Sequence, residues 1–170
     1  MPRTEKSWEG LTVPSVSIDI DASPEAVYTL ISDLPAMGRW SPECYRCDWQ
    51  GGATAAAPGV RFVGRNRIGT RRWSTQGTVV VADPGRELTF DIQYLGLPVS
   101  RWTYRIAPRT GGGVTLTEST EDRRGAVVRT LGSLFQLGTP GAKRTERNQA
   151  TMAETVKRLK EEAERVGAAV

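Results

Sequence analysis

Apolar and polar residues alternate along most of the chain between positions 15 and 122, a pattern typical of strands that bury one face. Val16, Ile18 and Ile20 alternate with polar residues and predict a first strand. After residue 42 the alternation predicts six more strands, near 43–50, 60–68, 71–82, 86–95, 99–108 and 113–121. Because short segments rich in glycine, proline or aspartate separate them, we expect an antiparallel meander.

Helical patterns interrupt the alternation near the start of the chain and at its end. Ser23 before Pro24 is the start signal of a helix that should run to about Ser32. Residues 33–40 predict a second short helical turn. A long helix is predicted over 142–166 from an apolar stripe with steps of four and three. The residues of that stripe are Met152, Val156, Leu159, Ala163 and Val166.

Residues 126–137 form another amphipathic segment, bounded by glycines at 125 and 138. It predicts a helix with two alternative roles. The helix is either a lid over a cavity mouth or one more packed element of the fold.

This order of elements resembles the SRPBCC superfamily, also called START-like or helix-grip proteins, and within it the polyketide cyclase/dehydrase and lipid-transport group. The segments that carry the resemblance are DIDASPEAVYTLISDLPAMGRWSPE at 19–43, RNRIGTRRWSTQGTVVVADPGRELTFD at 65–91, RWTYRIAP at 101–108, VTLTESTEDRR at 114–124 and NQATMAETVKRLKEEAE at 148–164. The resemblance implies an α+β helix-grip fold, in which a curved antiparallel sheet of about seven strands wraps around the long C-terminal helix. Two short helices follow the first strand.

The chain length predicts one domain, over residues 15–166. The first residues show no periodicity, which predicts a flexible arm at 1–14, and residues 167–170 are a tail. The resemblance implies a mostly apolar cavity between the sheet and the C-terminal helix. Strand parity and the resemblance together assign a set of candidate ligand-binding residues to that cavity. The set is Trp40, Glu43, Tyr45, Phe62, Asn66, Trp73, Thr75, Phe90, Ile92, Tyr94, Trp102, Tyr104, Glu118, Met152 and Val156. The alternative is that these residues fill a solid core.

Polar residues on the inward faces are the candidates for chemistry. Glu118 shares a face with apolar residues, so its carboxyl must be hydrogen-bonded, paired with a cation or held neutral. It is either a general acid or ligand anchor, or the partner of an arginine near a strand end. Asn66 either orients a ligand carbonyl or satisfies a backbone group. Tyr94 and Tyr104 offer hydroxyl groups.

The segment RWSPECYRCDW at 39–49 contains both cysteines in a C-x-x-C spacing. If residues 43–49 are extended, Glu43, Tyr45, Cys47 and Trp49 share one face, and Cys44 points to the other face with Arg46 and Asp48. The two thiols then point apart, which excludes a disulfide or redox pair. Two cysteines without histidine are also too few ligands for a zinc site.

The chain contains no histidine, and this limits its chemistry. Ser-His-Asp and Cys-His catalysis and histidine-ligated metals are excluded, and Ser41 has no base to activate it. We expect no metal and no organic cofactor. If the protein is an enzyme, Glu43 and Glu118 are its candidate catalytic residues.

The 170 residues carry a net charge of +4, with a cluster of basic residues near the second hairpin. The cluster is Arg61, Arg65, Arg67, Arg71 and Arg72. Three of them alternate along one strand and predict a solvated outer face. No nucleic-acid-binding signature accompanies them, so we expect no nucleic-acid partner; weak contact with a membrane surface stays open.

No signal peptide or transmembrane run is evident, and we expect a cytoplasmic monomer or dimer.

Three functions remain open from the sequence. The first is binding or transport of a hydrophobic small molecule, such as a lipid, a polyketide or an isoprenoid-like compound. The alternative implied by the resemblance is a polyketide cyclase or dehydratase that acts on a poly-β-ketone by carboxylate or tyrosine acid–base chemistry. The third is an interaction module whose ligand alters partner binding.

Overall fold

The computed structural model describes residues 13–125 and 141–167. Its seven strands are β1 (Ser15–Ile20), β2 (Cys44–Trp49), β3 (Arg61–Ile68), β4 (Arg71–Asp83), β5 (Glu87–Tyr94), β6 (Leu97–Pro108) and β7 (Val114–Asp122). Two α-helices, α1 (Pro24–Ser32) and α2 (Gly141–Gly167), and a 3-10 helix over Leu34–Arg39 complete the described elements. The predicted helix at 126–137 and most of the predicted arm lie outside the described residues.

The strands form one antiparallel sheet in the order β1-β7-β6-β5-β4-β3-β2. Strands β2 to β7 therefore form the predicted meander. Strand β1 is an edge strand that pairs with β7, from Ser15 opposite Ser119 to Ile20 opposite Val114. This curved open sheet with its C-terminal helix confirms the predicted α+β helix-grip fold. No helix among the described residues is long and apolar enough to span a bilayer.

The first helix begins at the predicted cap. The Ser23 hydroxyl accepts a hydrogen bond from the Ala26 amide at 3.1 Å, and Pro24 occupies the first turn, where no amide hydrogen is needed. Val27 and Ile31 are buried on its inner face. The helix thus covers one end of the sheet.

The long helix α2 lies across β1, β7 and α1. Four residues of the predicted stripe are buried: Met152, Val156, Leu159 and Ala163. The prediction for Val166 is wrong, because this side chain is exposed in the last turn.

Polar contacts link α2 to the start of the chain. The Lys160 ammonium donates to the Asp19 carbonyl at 2.6 Å, and Glu164 accepts from the Asp21 amide at 2.9 Å. Arg39 and Glu162 form an ion pair at 2.8 Å. These contacts hold α2 in place along the edge formed by β1.

Candidate functional site

The inner face of the sheet has a buried part and a half-buried part. In the buried part the rings of Phe62 and Phe90 meet edge to face with centroids 5.3 Å apart, and Phe90 lies 6.3 Å from Tyr104. The half-buried part is nearer the β3–β4 and β5–β6 hairpins. Its side chains are those of Asn66, Trp73, Thr75, Ile92 and Trp102. These are five of the predicted ligand-binding residues, and each is partly accessible from solvent.

An amide and a hydroxyl meet in the half-buried part. Asn66 donates from Nδ2 to the Gly64 carbonyl at 3.3 Å and to Thr75 Oγ1 at 3.2 Å. The contact with the Gly64 carbonyl is the structural alternative given above for Asn66, in which its side chain satisfies a backbone group. Both contacts use Nδ2, and no described residue donates to its Oδ1. That oxygen is therefore available as an acceptor.

Glu118 lies on β7, the strand next to the β1 edge of the sheet, and is 3% exposed. It faces Tyr104 across the β6–β7 register, and the Tyr104 hydroxyl donates to Glu118 Oε1 at 2.8 Å. The second oxygen, Oε2, is buried and has no hydrogen-bond partner among the described residues. Glu118 forms no ion pair with any described residue. Among these residues the predicted alternative, an arginine partner, is therefore wrong.

Burial controls the ionisation of this pair. Removal from water raises the pKa of Glu118 to about 8, although the hydrogen bond from Tyr104 opposes the change. The pKa of Tyr104 is also raised well above its ordinary value by burial and by the adjacent carboxyl group. At neutral pH Glu118 is thus mainly a neutral carboxylic acid that can donate a proton.

Glu43 contacts α2 at the border of the inner face. Its Oε1 lies 3.2 Å from Arg147 Nε in an ion pair and accepts a hydrogen bond from Thr151 Oγ1 at 3.5 Å. The carboxylate therefore ties the start of β2 to the helix. Of the two predicted acidic groups, Glu118 is buried and Glu43 is half-buried beside a cation.

The prediction that Tyr45 faces the interior is wrong. The β2–β3 register shifts by one residue between Cys44 and Arg46, which indicates a β-bulge. As a result Tyr45 lies on the outer face and is 43% exposed. The guanidinium groups of Arg67 and Arg72 lie over its ring, 5.8 and 5.9 Å from the centroid.

The same bulge overturns the predicted separation of the cysteines. Cys44 and Cys47 are both free and buried, so their side chains do not point to opposite faces. Burial raises the pKa of Cys44 to about 11 and that of Cys47 to about 12. Both thiols therefore stay protonated at neutral pH, when they are poor nucleophiles and poor metal ligands.

The remaining predicted residues occupy two kinds of position. Phe62, Phe90, Met152 and Val156 are fully buried, and Trp40 is buried beneath the Arg39 guanidinium, 4.8 Å from its ring. Tyr94 is exposed at the end of β5. The five half-buried residues described above are thus members of the predicted set that lie on the inner face and remain partly accessible.

One polar residue of the inner face, Ser100, was not predicted. It is buried, and its hydroxyl accepts from Trp102 Nε1 at 3.0 Å, which fixes the indole orientation. Ser100 has the strand parity of Trp102, so alternation alone could have identified it. Thr120, which alternation placed on the inward face of its strand, is buried. Cys44 and the predicted Thr75 both lie against Gly64.

Ser41 has a structural role. Its hydroxyl accepts hydrogen bonds from the amides of Glu43 and Cys44 at 3.3 and 3.0 Å. It caps the turn that leads into β2.

Comparison with known proteins gives one family match. The chain matches the family described as polyketide cyclase/dehydrase and lipid transport over residues 14–164. No curated protein matches it.

Solved structures with this fold include proteins of several descriptions. The Polyketide_cyc-like protein Cgl2372 from Corynebacterium glutamicum is 28% identical, with a TM-score of 0.55 over 89% of this chain and 88% of that one. A START superfamily protein from Mycobacterium smegmatis is 16% identical, with a TM-score of 0.68 over 89% and 97% of the two chains.

The di-domain ARO/CYC StfQ from the steffimycin biosynthetic pathway is 14% identical, with a TM-score of 0.69 over 91% of this chain. The match spans 51% of StfQ, about half of its length. At this identity the likeness to StfQ and to the M. smegmatis protein concerns the fold alone.

Proposed function

The chain belongs to the polyketide cyclase/dehydrase and lipid transport family, and on this premise we propose that it binds an apolar small molecule between the inner face of the sheet and α2. A lipid, a polyketide or an isoprenoid-like compound fits this description. The observation that carries the proposal is the half-buried part of the inner face. There, large aromatic side chains stay partly accessible although they point inward.

The chemistry of these side chains limits the ligand. Trp73, Ile92 and Trp102 offer apolar surface for a hydrocarbon or ring system. Asn66 Oδ1 is an acceptor without a described donor, and the neutral Glu118 offers a donor deeper in the interior. The best ligand is therefore uncharged and mostly apolar, with a hydroxyl or carbonyl group.

Binding is tested first with the protein as purified. Native mass spectrometry followed by solvent extraction is expected to detect a retained apolar compound. Titration with the apolar dye Nile red is expected to give saturable fluorescence. A protein that retains no compound and binds no apolar dye would contradict the proposal.

Trp102→Ala is expected to weaken Nile red binding roughly tenfold or more, because a half-buried tryptophan of this kind is a large part of an apolar contact surface. The dissociation constant from the dye titration measures the effect. Gln76→Ala is the control, since Gln76 is exposed beside Thr75 on the opposite face of β4. Circular dichroism confirms that both variants are folded. Equal affinity in both variants would exclude Trp102 from the site.

A second function, that of a cyclase or dehydratase, is favoured by one specific observation. Glu118 is a protonated acid at neutral pH with one oxygen free among the described residues. In a dehydration it would give its proton to the departing hydroxyl, which leaves as water. The resulting carboxylate would take the proton from the adjacent carbon as the double bond forms, and this restores the acid. Tyr104 would position the carboxyl group.

Glu118→Gln is expected to lower kcat for dehydration of a β-hydroxy ketone at least about a hundredfold, because glutamine cannot donate this proton. Nile red affinity should change little. Glu43→Gln is the matched control and is expected to keep most of the turnover, since Glu43 is paired with Arg147. Absence of turnover in the wild-type protein with intact dye binding would leave binding as the function and reject the enzyme.

A further inference from the structure

Two hairpin tips expose apolar side chains at one end of the sheet. Ile68 ends β3, and Tyr94, Leu95 and Leu97 form the β5–β6 hairpin. All four are exposed, Leu95 most of all at 84%. Isolated exposed apolar residues are ordinary, but here four of them lie on two hairpins at one end of the sheet.

The two tips lie at the same end of the sheet. Gln76 of β4 pairs with Gln93 of β5, so the β4 residues that precede it and the turn after Tyr94 extend in the same direction. The β3–β4 turn follows Ile68, which pairs with Arg71. This is also the end where the inner face is half-buried.

Leu95 occupies a backbone conformation that suits leucine poorly. Leu95 and Gly96 have φ angles of 51° and 77° and connect the paired residues Tyr94 and Leu97. Positive φ at both central residues is the pattern of a type I′ turn, in which asparagine before glycine is preferred. A leucine here costs conformational energy and contacts mainly solvent, so the fold alone does not explain it.

Arginines flank one of these two tips. Arg67, Arg71 and Arg72 flank the β3–β4 turn, and residues 61–82 contain no acidic side chain. None of these three arginines forms an ion pair with a described residue. Arg67 and Arg72 instead lie over the ring of Tyr45, and the Arg71 guanidinium is 5.9 Å from the Trp73 ring. Their positive charges are therefore available to an anionic partner.

We propose that these residues form a docking surface for an anionic phospholipid bilayer. The surface consists of Ile68, Tyr94, Leu95 and Leu97 with Arg67, Arg71 and Arg72. Apolar tips can enter the boundary between headgroups and acyl chains, while the guanidinium groups bind lipid phosphates. Tyrosine is itself enriched at this depth of a membrane.

The shape of the surface favours a bilayer over a folded protein partner. The apolar groups protrude on two separate turns and form no continuous flat patch of the kind that a protein interface buries. A fluid interface accepts separate protruding side chains. The docking surface goes beyond the proposed ligand binding, and its test requires no ligand.

Sedimentation with vesicles tests the surface directly. The wild-type protein is expected to sediment with phosphatidylcholine vesicles that contain phosphatidylglycerol, and less with phosphatidylcholine alone. Added salt should weaken vesicle binding, because salt screens the attraction between the arginines and the lipid phosphates.

Leu95→Asn is expected to lower vesicle affinity by about tenfold, and Arg71→Gln by roughly fivefold. Since asparagine suits this turn, Leu95→Asn should melt at the wild-type temperature or above it, which separates lost binding from lost folding.

Two matched controls complete the experiment. Arg61→Gln removes an exposed arginine at the other end of β3, and Val13→Asn removes an exposed apolar residue before β1. Both should bind vesicles as the wild type does. The proposal is overturned if the wild type ignores anionic vesicles, or if Leu95→Asn binds them unchanged. It is also overturned if Leu95→Asn instead dissociates a dimer seen by size-exclusion chromatography, because the surface would then join two copies of the chain.

Discussion

Gly77→Ala is expected to destabilise the protein by about 3 kcal/mol or more, one of the largest effects of any single methyl group in this fold. A Cβ atom at position 77 would overlap the Cζ and Cε atoms of the Phe62 ring, which lies directly over the glycine. The ring cannot move aside easily, because it is buried and held edge to face between Trp49 and Phe90, at 6.1 and 5.3 Å. Urea unfolding at neutral pH measures the loss.

Two further variants separate steric overlap from other causes. Among the described residues no atom lies within 4 Å of a Cβ atom at position 125, and Gly125→Ala should change the free energy of unfolding by less than about 0.5 kcal/mol. In a background of Phe62→Leu the alanine at position 77 should cost less, which a double-mutant cycle would detect as coupling. A Gly77→Ala protein as stable as the wild type would refute the placement of the Phe62 ring.

Alternation in the sequence was sufficient to predict most of the sheet. In β7 the residues Val114, Leu116, Glu118 and Thr120 alternate without interruption, and all four are buried. The flanking turns contain glycines, which mark where each strand ends. Strand positions and inward faces were therefore predictable wherever no bulge intervened.

The bulge in β2 could not be read from alternation. It depends on the Ser41 hydroxyl, which holds the amides of Glu43 and Cys44, and on the Glu43 carbonyl, which accepts from the Arg67 amide at 2.9 Å. These contacts arise only when β3 is already in place. A parity argument that assumes a regular strand consequently places Tyr45 on the wrong face.

The partner of the buried acid was likewise beyond the sequence. Parity predicted that Glu118 points inward, but its partner depends on the register between β6 and β7. That register follows from the length of the turn after Pro108. In this turn the Arg109 amide donates to the Gly113 carbonyl at 3.0 Å, and the Arg109 carbonyl accepts from the Gly112 amide at 3.2 Å. Tyr104 thus becomes the neighbour of Glu118 through pairing geometry and not through any local motif.

Glu118→Gln is expected to raise the free energy of unfolding at pH 9 by several kcal/mol and to change it little near pH 4. In the folded protein the pKa of Glu118 is raised from its ordinary value of 4.5 to about 8. Below pH 4.5 both folded and unfolded chains carry the proton, so folding bears no penalty. Between pH 4.5 and 8 the unfolded chain releases it while the folded chain retains it, and stability falls as pH rises. The full difference corresponds to at most about 5 kcal/mol.

Chemical unfolding of both proteins at several pH values measures this difference, and Glu161→Gln on the exposed side of α2 is the control for loss of a carboxylate. The control should follow the wild-type pH profile. If the gain of Glu118→Gln over wild type were the same at pH 4 and pH 9, Glu118 would not retain its proton in the fold. The same result would remove the acid on which the proposed dehydration depends, whereas a gain confined to high pH would establish an interior proton donor at neutral pH.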